Sequence, residues 1–247
     1  MVDFLAAEKF IKEKYNVEVK IDFESIFGDL STYTKEQEDI MPENHLGGHF
    51  DFTAMVTKTF DYIREKYNIN SMLDIGCGPA GMVEYANYKG VYAIGVDGDP
   101  DLGEKPYTII HDFTTGKLEL DTFELVYSTE FVEHVEEQYL DNFMSLFQKG
   151  YYVFLSAAPP GQSGHHHVNC KNKDYWIQKF EQYGFEYLPE DSEEISKTSS
   201  DILVRNNSMF FRNKTIFTFP SKQPFTIDKS VIESSIDSYI KKGGPID

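Results

Sequence analysis

The stretch SMLDIGCGPAGMVEY, residues 71–85, decides the fold. Its first part, SMLDI, is an apolar run with the length of a buried strand, and a pattern with helical spacing follows it. Between them stand Gly76, Gly78 and Gly81. Glycines at a strand-to-helix turn let the backbone approach a ligand closely at the open end of the helix. The stretch therefore predicts the first strand–turn–helix unit of an α/β fold, although the glycine pattern alone does not identify the ligand.

The same alternation continues along the chain on both sides of this stretch. Strands are predicted over residues 71–75, 91–97, 107–112, 123–128 and 151–157, with two terminal strands in 184–190 and 207–213. Helices are predicted over residues 53–67, 79–88, 135–148 and 173–183. Strands that alternate with helices at this spacing imply parallel βαβ units. We therefore predict a doubly wound, Rossmann-like sheet of seven strands with helices on both faces.

The regions that flank this alternation predict three segments. Residues 1–50 are expected to form an N-terminal helical cap, since apolar residues recur at helical spacing in 4–15. Residues 51–213 form the predicted catalytic domain, and residues 214–247 form a C-terminal tail with a helix around 229–241.

Composition limits the possible partners. The chain has 247 residues, with 23 Lys and Arg against 41 Asp and Glu, and a net charge of −18. Such a charge disfavours an extended nucleic acid or an anionic membrane surface as a partner. No run of about 18 apolar residues predicts a membrane span, and the first residues lack the layout of a signal peptide. Two cysteines are too few for a disulfide scaffold. We expect a cytoplasmic protein, and the sequence does not define its oligomeric state.

Carboxylates at the ends of the predicted strands indicate the charge of the ligand. Asp74 lies two residues before Gly76, where it would repel a pyrophosphate but favour a ligand with an ammonium and a sulfonium group. Asp97 ends the second predicted strand and is followed by Gly98. This position suits an acceptor of hydrogen bonds from ribose hydroxyls.

A third carboxylate, Asp112, follows the third predicted strand together with Phe113, and this pair is placed to bind and cover an adenine. The motifs LDIGCGPAG, GVDGD and HDF, in this order and spacing, resemble class I S-adenosylmethionine-dependent methyltransferases over roughly residues 53–213. The resemblance implies that Asp74 orients the amino group of the methionine moiety, that Gly76 and Gly78 give close backbone approach, and that Asp97 holds the ribose. A nucleotide fold that uses NAD is the alternative.

Acidic and imidazole side chains follow the fourth and fifth predicted strands. The first group, Glu130, Glu133 and His134 in STEFVEHVEEQ, has a spacing that places all three on one face of a helix. The second, His165 to His167, lies in the glycine-flanked loop PPGQSGHHHVNC. Both loops leave the same edge of the sheet. Two carboxylates and an imidazole in a crevice are costly without a cation, and this set suits Mg²⁺ or Mn²⁺.

The E-x-x-E-H motif with a later histidine resembles the metal-dependent O-methyltransferases, among them the small-RNA 3′-terminal 2′-O-methyltransferases and the ubiquinone-pathway enzymes. This resemblance implies that Glu130, Glu133 and His134 bind a divalent ion and that His166 is the further ligand. The run GHHHVNC followed by DYWIQKFEQYGF is also similar to small phage and large-virus methyltransferase domains, many of which are associated with glycan modification. In the alternative without metal, His134 caps a helix and the histidine loop is exposed or binds substrate.

A mechanism follows from this set of residues. A divalent ion lowers the pKa of a bound hydroxyl, and an imidazole is an apt base near neutral pH; His165 or His167 is the candidate. The net charge argues against RNA, so a sugar or glycan hydroxyl with a vicinal hydroxyl is the preferred acceptor. The alternatives are a metal-free small-molecule methyltransferase, an RNA 2′-O-methyltransferase and a non-catalytic cofactor-binding subunit.

Overall fold

The structure is a computed structural model that describes residues 45–47, 53–103, 105–215 and 218–245. These residues belong to one compact unit that begins at His45. The predicted N-terminal cap lies outside the described residues except for 45–47, and so does its predicted helix over 4–15.

One sheet of seven strands forms the centre of this unit. The strands are β1 (Ser71–Ile75), β2 (Tyr92–Asp97), β3 (Thr108–Ile110), β4 (Phe123–Thr129), β5 (Gly150–Ser156), β6 (Phe185–Tyr187) and β7 (Met209–Asn213). Their order in the sheet is β3-β2-β1-β4-β5-β7-β6. Strands β1 to β5 pair in parallel, and β7 runs antiparallel to β5 and β6. The predicted seven-stranded Rossmann-like fold is confirmed.

Helices cover both faces of the sheet. They are α1 (Thr57–Tyr67), α2 (Gly81–Tyr88), α3 (Leu140–Phe147), α4 (Lys173–Gln182), α5 (Pro189–Ser196), α6 (Ile202–Asn207) and α7 (Lys229–Lys241). Buried side chains of α3 and α4 belong to one apolar cluster, and those of α1, α2, α5, α6 and α7 belong to a second. The sheet therefore separates two cores.

The central strands are buried because both of their faces are covered. Every residue of β1 is buried, as expected for a parallel strand between two helical layers. On one face Phe60 and Ile63 of α1 are fully enclosed, and on the other Trp176 of α4 is fully enclosed. Side-chain caps fix the helix starts, since Asn172 accepts a hydrogen bond from the Tyr175 backbone N–H before α4.

Two regions differ from the sequence prediction. The helix predicted over 135–148 begins only at Leu140, and two short 3₁₀ turns, Val132–His134 and Glu137–Tyr139, precede it. Helix α6 was not predicted. Within the described residues, no helix is long and apolar enough to cross a membrane.

The carboxyl ends of β1 to β5 meet at one edge of the sheet. The chain order reverses between β1 and β4, and in such sheets ligands bind in the crevice outside this reversal. Because β6 is parallel to β5, the connection from β6 to β7, residues 188–208, lies at this edge as well. This topology brings five loops and helix α6 around one space.

Candidate functional site

A cavity of about 680 Å³ lies at this edge of the sheet. Most of the predicted site residues line it. The lining residues are Gly76, Gly78, Asp97, Gly98, Asp112, Phe113, Glu130, His134, His165 and His167. Asp74, Glu133 and His166 are not among the lining residues. The predicted cofactor residues and the predicted acid–histidine residues therefore share one cavity.

The glycine turn after β1 is closely packed. Gly76 has a φ of +76°, and a Cβ atom there would lie 2.6 Å from the Phe131 side chain. The position thus requires glycine both for its backbone conformation and for space. Gly78 donates its backbone N–H to Asp97 Oδ2 at 2.8 Å, so the turn and the end of β2 hold each other in place.

Two carboxylates border the cavity beside this turn. Besides the bond from Gly78, Asp97 accepts a hydrogen bond from the Asp99 N–H through Oδ1. Asp112 Oδ2 lies 3.0 Å from His45 Nε2. Burial acts to raise the pKa of Asp112, but the hydrogen bonds from Thr114 and from His45 outweigh it, and the pKa lies below its usual value. Both carboxylates are held in fixed positions where ribose hydroxyls and an adenine could be recognised.

Asp74 stands at the end of β1 behind the glycine turn and is only 3% exposed. Burial, together with the charge of Asp97, raises the pKa of Asp74 to about 8. The part of the chain that the structure describes supplies neither a hydrogen-bond donor nor a cation for this carboxyl. Such a group favours a cationic ligand, because a nearby positive charge would stabilise the ionised form.

Glu133, His134 and His167 converge on one point. One ligand atom from each lies within 4.8 Å of the others. His134 Nδ1 lies 2.8 Å from the carbonyl oxygen of His165, and His167 Nδ1 lies 3.0 Å from that of Gln162. A carbonyl only accepts, so each Nδ1 carries the proton and each Nε2 keeps its lone pair. Imidazole ligands of metals are oriented in this way in proteins.

The third member of this group, Glu133, is fully buried. Its Oε1 accepts a hydrogen bond from the Ala158 N–H at 3.1 Å, whereas its Oε2 is buried without a hydrogen-bond partner in the described residues. Burial, with the charge of Glu130 adding to it, raises the pKa of Glu133 above its usual range. Burial and the nearby His167 lower the pKa of His134 to about 4. Both shifts disfavour the charged forms of these two side chains in the absence of a cation, and a bound cation would favour the ionised carboxylate of Glu133 and the neutral imidazole of His134.

Backbone hydrogen bonds attach the histidine loop to the turn that carries Glu133. The carbonyl oxygen of Glu133 accepts from the N–H groups of Val168 and Asn169, at 3.0 and 2.9 Å. The rings of His134 and His167 pack edge to face, with their centroids 4.9 Å apart. Two loops far apart in sequence are thus joined where their side chains meet.

Two predicted ligands lie outside this group of three. Glu130, at a φ of +50°, accepts hydrogen bonds from Ser156 Oγ at 2.7 Å and Gln162 Nε2 at 3.0 Å. His166 has a φ of +46°, and its Nε2 lies 3.6 Å from Glu136. This left-handed residue turns the chain so that its neighbours on either side line the cavity. The structure therefore places His167, rather than the predicted His166, beside Glu133 and His134.

The remaining histidine of the loop, His165, also lines the cavity. Its Nε2 is buried and has no hydrogen-bond partner among the described residues. Since its carbonyl oxygen holds His134, the backbone of His165 is fixed while its ring nitrogen remains available.

Sequence reasoning missed one side of the cavity. It is formed by residues 200–204, Tyr239 and residues 242–245, which belong to the β6–β7 connection and to the end of the chain. The signal that could have found the first of these was Asp201 before an apolar run, which is a helix N-cap pattern. The antiparallel last strand would then have placed that helix at the binding edge.

No protein-family model matches the chain, and no curated protein matches its sequence. Among solved structures, it is similar to a TehB-like SAM-dependent methyltransferase from Corynebacterium glutamicum, with 15% identity and a TM-score of 0.49 over 74% of this chain and 97% of that one. A SAM-dependent methyltransferase from Clostridium acetobutylicum gives 10% identity and 0.49 over 64% and 90%. The plantazolicin methyltransferase BpumL, solved with a desmethyl analogue and SAH, gives 14% and 0.46 over 77% and 94%.

Proposed function

We propose that this protein is an S-adenosylmethionine-dependent O-methyltransferase that uses a divalent cation. One observation carries the proposal. The glycine turn and its neighbouring carboxylates line the same cavity as His134 and His167, and Glu133 has a ligand atom within 4.8 Å of those of the two histidines. A methyl donor and a hydroxyl acceptor must meet in line for transfer. A single cavity with a donor side and a cation side satisfies that requirement.

The residues around the glycine turn fit the donor. S-adenosylmethionine supplies a methyl group on a cationic sulfonium and also carries an ammonium group. Asp74 offers a buried carboxyl whose pKa is raised to about 8 by burial and by the charge of Asp97, and Asp97 offers fixed lone pairs for the ribose. Gly98 and Asp112 line the adjoining wall. Phe113 lies there too, packed against Phe131, and would cover the adenine.

The group of Glu133, His134 and His167 fits a divalent cation. The unpartnered Oε2 of Glu133 and the two Nε2 lone pairs are ligand atoms with no other role in the described residues. One carboxylate and two imidazoles suit Mn²⁺ or Fe²⁺ and tolerate Mg²⁺. When bound, such an ion lowers the pKa of a hydroxyl. Glu130, held by Ser156 and Gln162, lies close enough for its charge to raise the pKa of Glu133, and a bound cation would relieve this repulsion.

His165 is the proposed base. Of the two predicted candidates, His167 belongs to the ligand group, which leaves His165 with its unpartnered Nε2. A neutral imidazole accepts a proton near neutral pH. It would take the proton of the acceptor hydroxyl as the methyl group is transferred.

The proposed acceptor is a sugar or glycan hydroxyl with a vicinal hydroxyl. Lys242 is the one Lys or Arg among the described residues that line the cavity, so the site has little charge to hold a chain of phosphates. The net charge of −18 also disfavours the binding of a chain of phosphates. An RNA acceptor would instead give an affinity that falls steeply with salt, which filter binding at several salt concentrations would detect.

The test measures Mn²⁺ and S-adenosylhomocysteine (SAH) binding by calorimetry in the wild type and two variants. Glu133→Gln removes a ligand, and we expect at least about a tenfold loss of Mn²⁺ affinity with normal SAH affinity. Glu136→Gln is the matched control, because Glu136 follows in the same segment but faces His166; it should leave both affinities unchanged.

A methyl-transfer assay with alcohol acceptors, run with and without EDTA beside the calorimetry, separates the alternatives. Normal Mn²⁺ affinity in Glu133→Gln, together with methyl transfer that survives EDTA, would indicate a metal-free methyltransferase. Wild-type protein that binds no SAH would refute the methyltransferase proposal altogether. SAH binding without transfer to any alcohol would indicate a non-catalytic subunit.

A further inference from the structure

Helix α6 forms a wall of the cavity and is fixed there by one carboxylate. Asp201 Oδ1 accepts hydrogen bonds from the N–H groups of Leu203 and Val204, at 2.8 and 3.2 Å. Its Oδ2 accepts the hydroxyl of Tyr239, from α7, at 2.7 Å. Asp201 therefore caps α6 and joins it to α7, so the position of the wall does not depend on α6 alone.

The side chains that this wall presents are apolar. Ile202 is 57% exposed and Leu203 is 44% exposed, and both line the cavity. The other exposed large hydrophobic side chains of the described residues, none of which lines the cavity, are Tyr88, Val168 and Val231. Apolar side chains that remain accessible in a ligand cavity indicate an apolar ligand surface.

The donor does not account for this wall. The groups proposed to hold the donor are carboxylates and Phe113, and all of them lie at the ends of β1, β2 and β3 or in the turns that follow. In α6 the only carboxylate at the cavity, Asp201, already accepts three hydrogen bonds. A polar sugar ring alone would leave Ile202 and Leu203 in contact with water.

We infer that the acceptor carries an apolar substituent near the hydroxyl that is methylated, and that Ile202 and Leu203 bind it. The inference rests on the proposed function and narrows its substrate class to amphipathic alcohols, such as a sugar with an apolar aglycone. Ile202 and Leu203 are then the residues that determine acceptor specificity. Covering about half of one such side chain is worth roughly a tenfold gain in affinity.

The test uses two probes with the same vicinal hydroxyls, catechol and 4-tert-butylcatechol. Calorimetry measures their binding to the full chain loaded with Mn²⁺ and SAH, under nitrogen to prevent oxidation. Three proteins are compared: the wild type, Leu203→Asn and the matched control Val231→Asn. Val231 is similarly exposed, at 37%, but lies on α7 outside the cavity lining. Both substitutions are at exposed positions, and a thermal melt verifies folding.

We expect 4-tert-butylcatechol to bind the wild type and Val231→Asn about tenfold more tightly than catechol. In Leu203→Asn this ratio should fall to about one, with SAH affinity unchanged. A ratio that is unaffected by Leu203→Asn, or no binding of either probe to protein that binds both SAH and Mn²⁺, overturns the inference, whereas protein that binds no Mn²⁺ is a failure of the proposed function. A parallel loss of SAH affinity overturns it too, since the wall would then serve the cofactor. Failure of the wild type to bind SAH is a failure of the proposed function instead.

Discussion

Replacing Asp74 by Asn tests the charge that the site offers to its cofactor. The carboxyl is buried and its pKa is raised to about 8 from the usual 3.8. Below about pH 4 it is protonated in both the folded and the unfolded chain, so it does not affect stability. As pH rises towards 8, the unfolded chain ionises and the folded chain does not, and the folded state loses about 1.4 kcal/mol per pH unit.

At pH 7 this loss amounts to about 4 kcal/mol. An Asn side chain avoids it but leaves a buried amide without partners, at a cost of about 1–3 kcal/mol. We therefore expect cofactor-free Asp74→Asn to be more stable than the wild type by about 1–3 kcal/mol at pH 7. The difference should vanish and then reverse as pH falls towards 4, where the carboxyl is largely protonated in both states and only the cost of the buried amide remains. Urea unfolding at several pH values measures it.

The same carboxyl should couple SAH binding to pH. With a pKa of about 8, the group is about 90% protonated at pH 7. The ammonium group of SAH favours the ionised form, so binding should release close to one proton, and affinity should rise nearly tenfold between pH 6 and 7. Calorimetry in phosphate and in Tris counts the proton. Asp74→Asn should release none and should bind SAH at least about tenfold more weakly.

Asp101→Asn is the matched control, because Asp101 is an exposed carboxyl in the turn after β2. It should bind SAH and unfold like the wild type at every pH. The reasoning is refuted if wild-type protein releases no proton on binding SAH and its stability follows the same pH curve as that of Asp74→Asn.

Two further predictions concern the glycine turn and its surroundings. Gly76→Ala should weaken SAH binding at least about tenfold and lower the melting temperature, because the new Cβ meets Phe131 at a left-handed backbone position. Gly90→Ala, also left-handed but with open space around it, should cost only about 1–2 kcal/mol and leave binding intact; equal effects of the two would contradict this. Lys105→Ala should destabilise the fold by about 1.5–3 kcal/mol in urea unfolding, since it removes the ion-pair partner of the buried Glu84 carboxylate, which keeps its hydrogen bond from Tyr107. A loss of stability below 1 kcal/mol would show that the buried Glu84 carboxylate is not stabilised by its ion pair with Lys105.

The sheet could be predicted from the sequence because burial leaves a simple pattern. Strand β1 was predicted with its observed bounds, since a central strand covered on both faces is a continuous apolar run. Helix α4 was predicted within one residue at its end, because Asn172 caps its start and Trp176 and Phe180 mark its buried face. In β1 and α4 the local sequence pattern and the burial in the folded protein favour the same secondary structure.

The site was less predictable because its geometry depends on unusual backbone conformations. The spacing of Glu130, Glu133 and His134 suggested one helical face, but Glu130 has a left-handed φ and only a 3₁₀ turn follows. Three consecutive histidines have the same local chemistry. The one residue among them that is left-handed, His166, decides which two line the cavity. Periodicity carries no information on such a residue.

The reversed direction of β7 has a consequence for how this chain could acquire new substrates. Because β6 ends and β7 begins at the same edge, the connection between them starts and finishes at that edge without crossing the sheet. It could be exchanged for a segment of another length or composition while the parallel strands and the glycine turn keep their pairing. The acceptor specificity could then change without a change in the rest of the sheet. A β6–β7 connection that is moved into a protein of the same fold would bring its acceptor specificity with it.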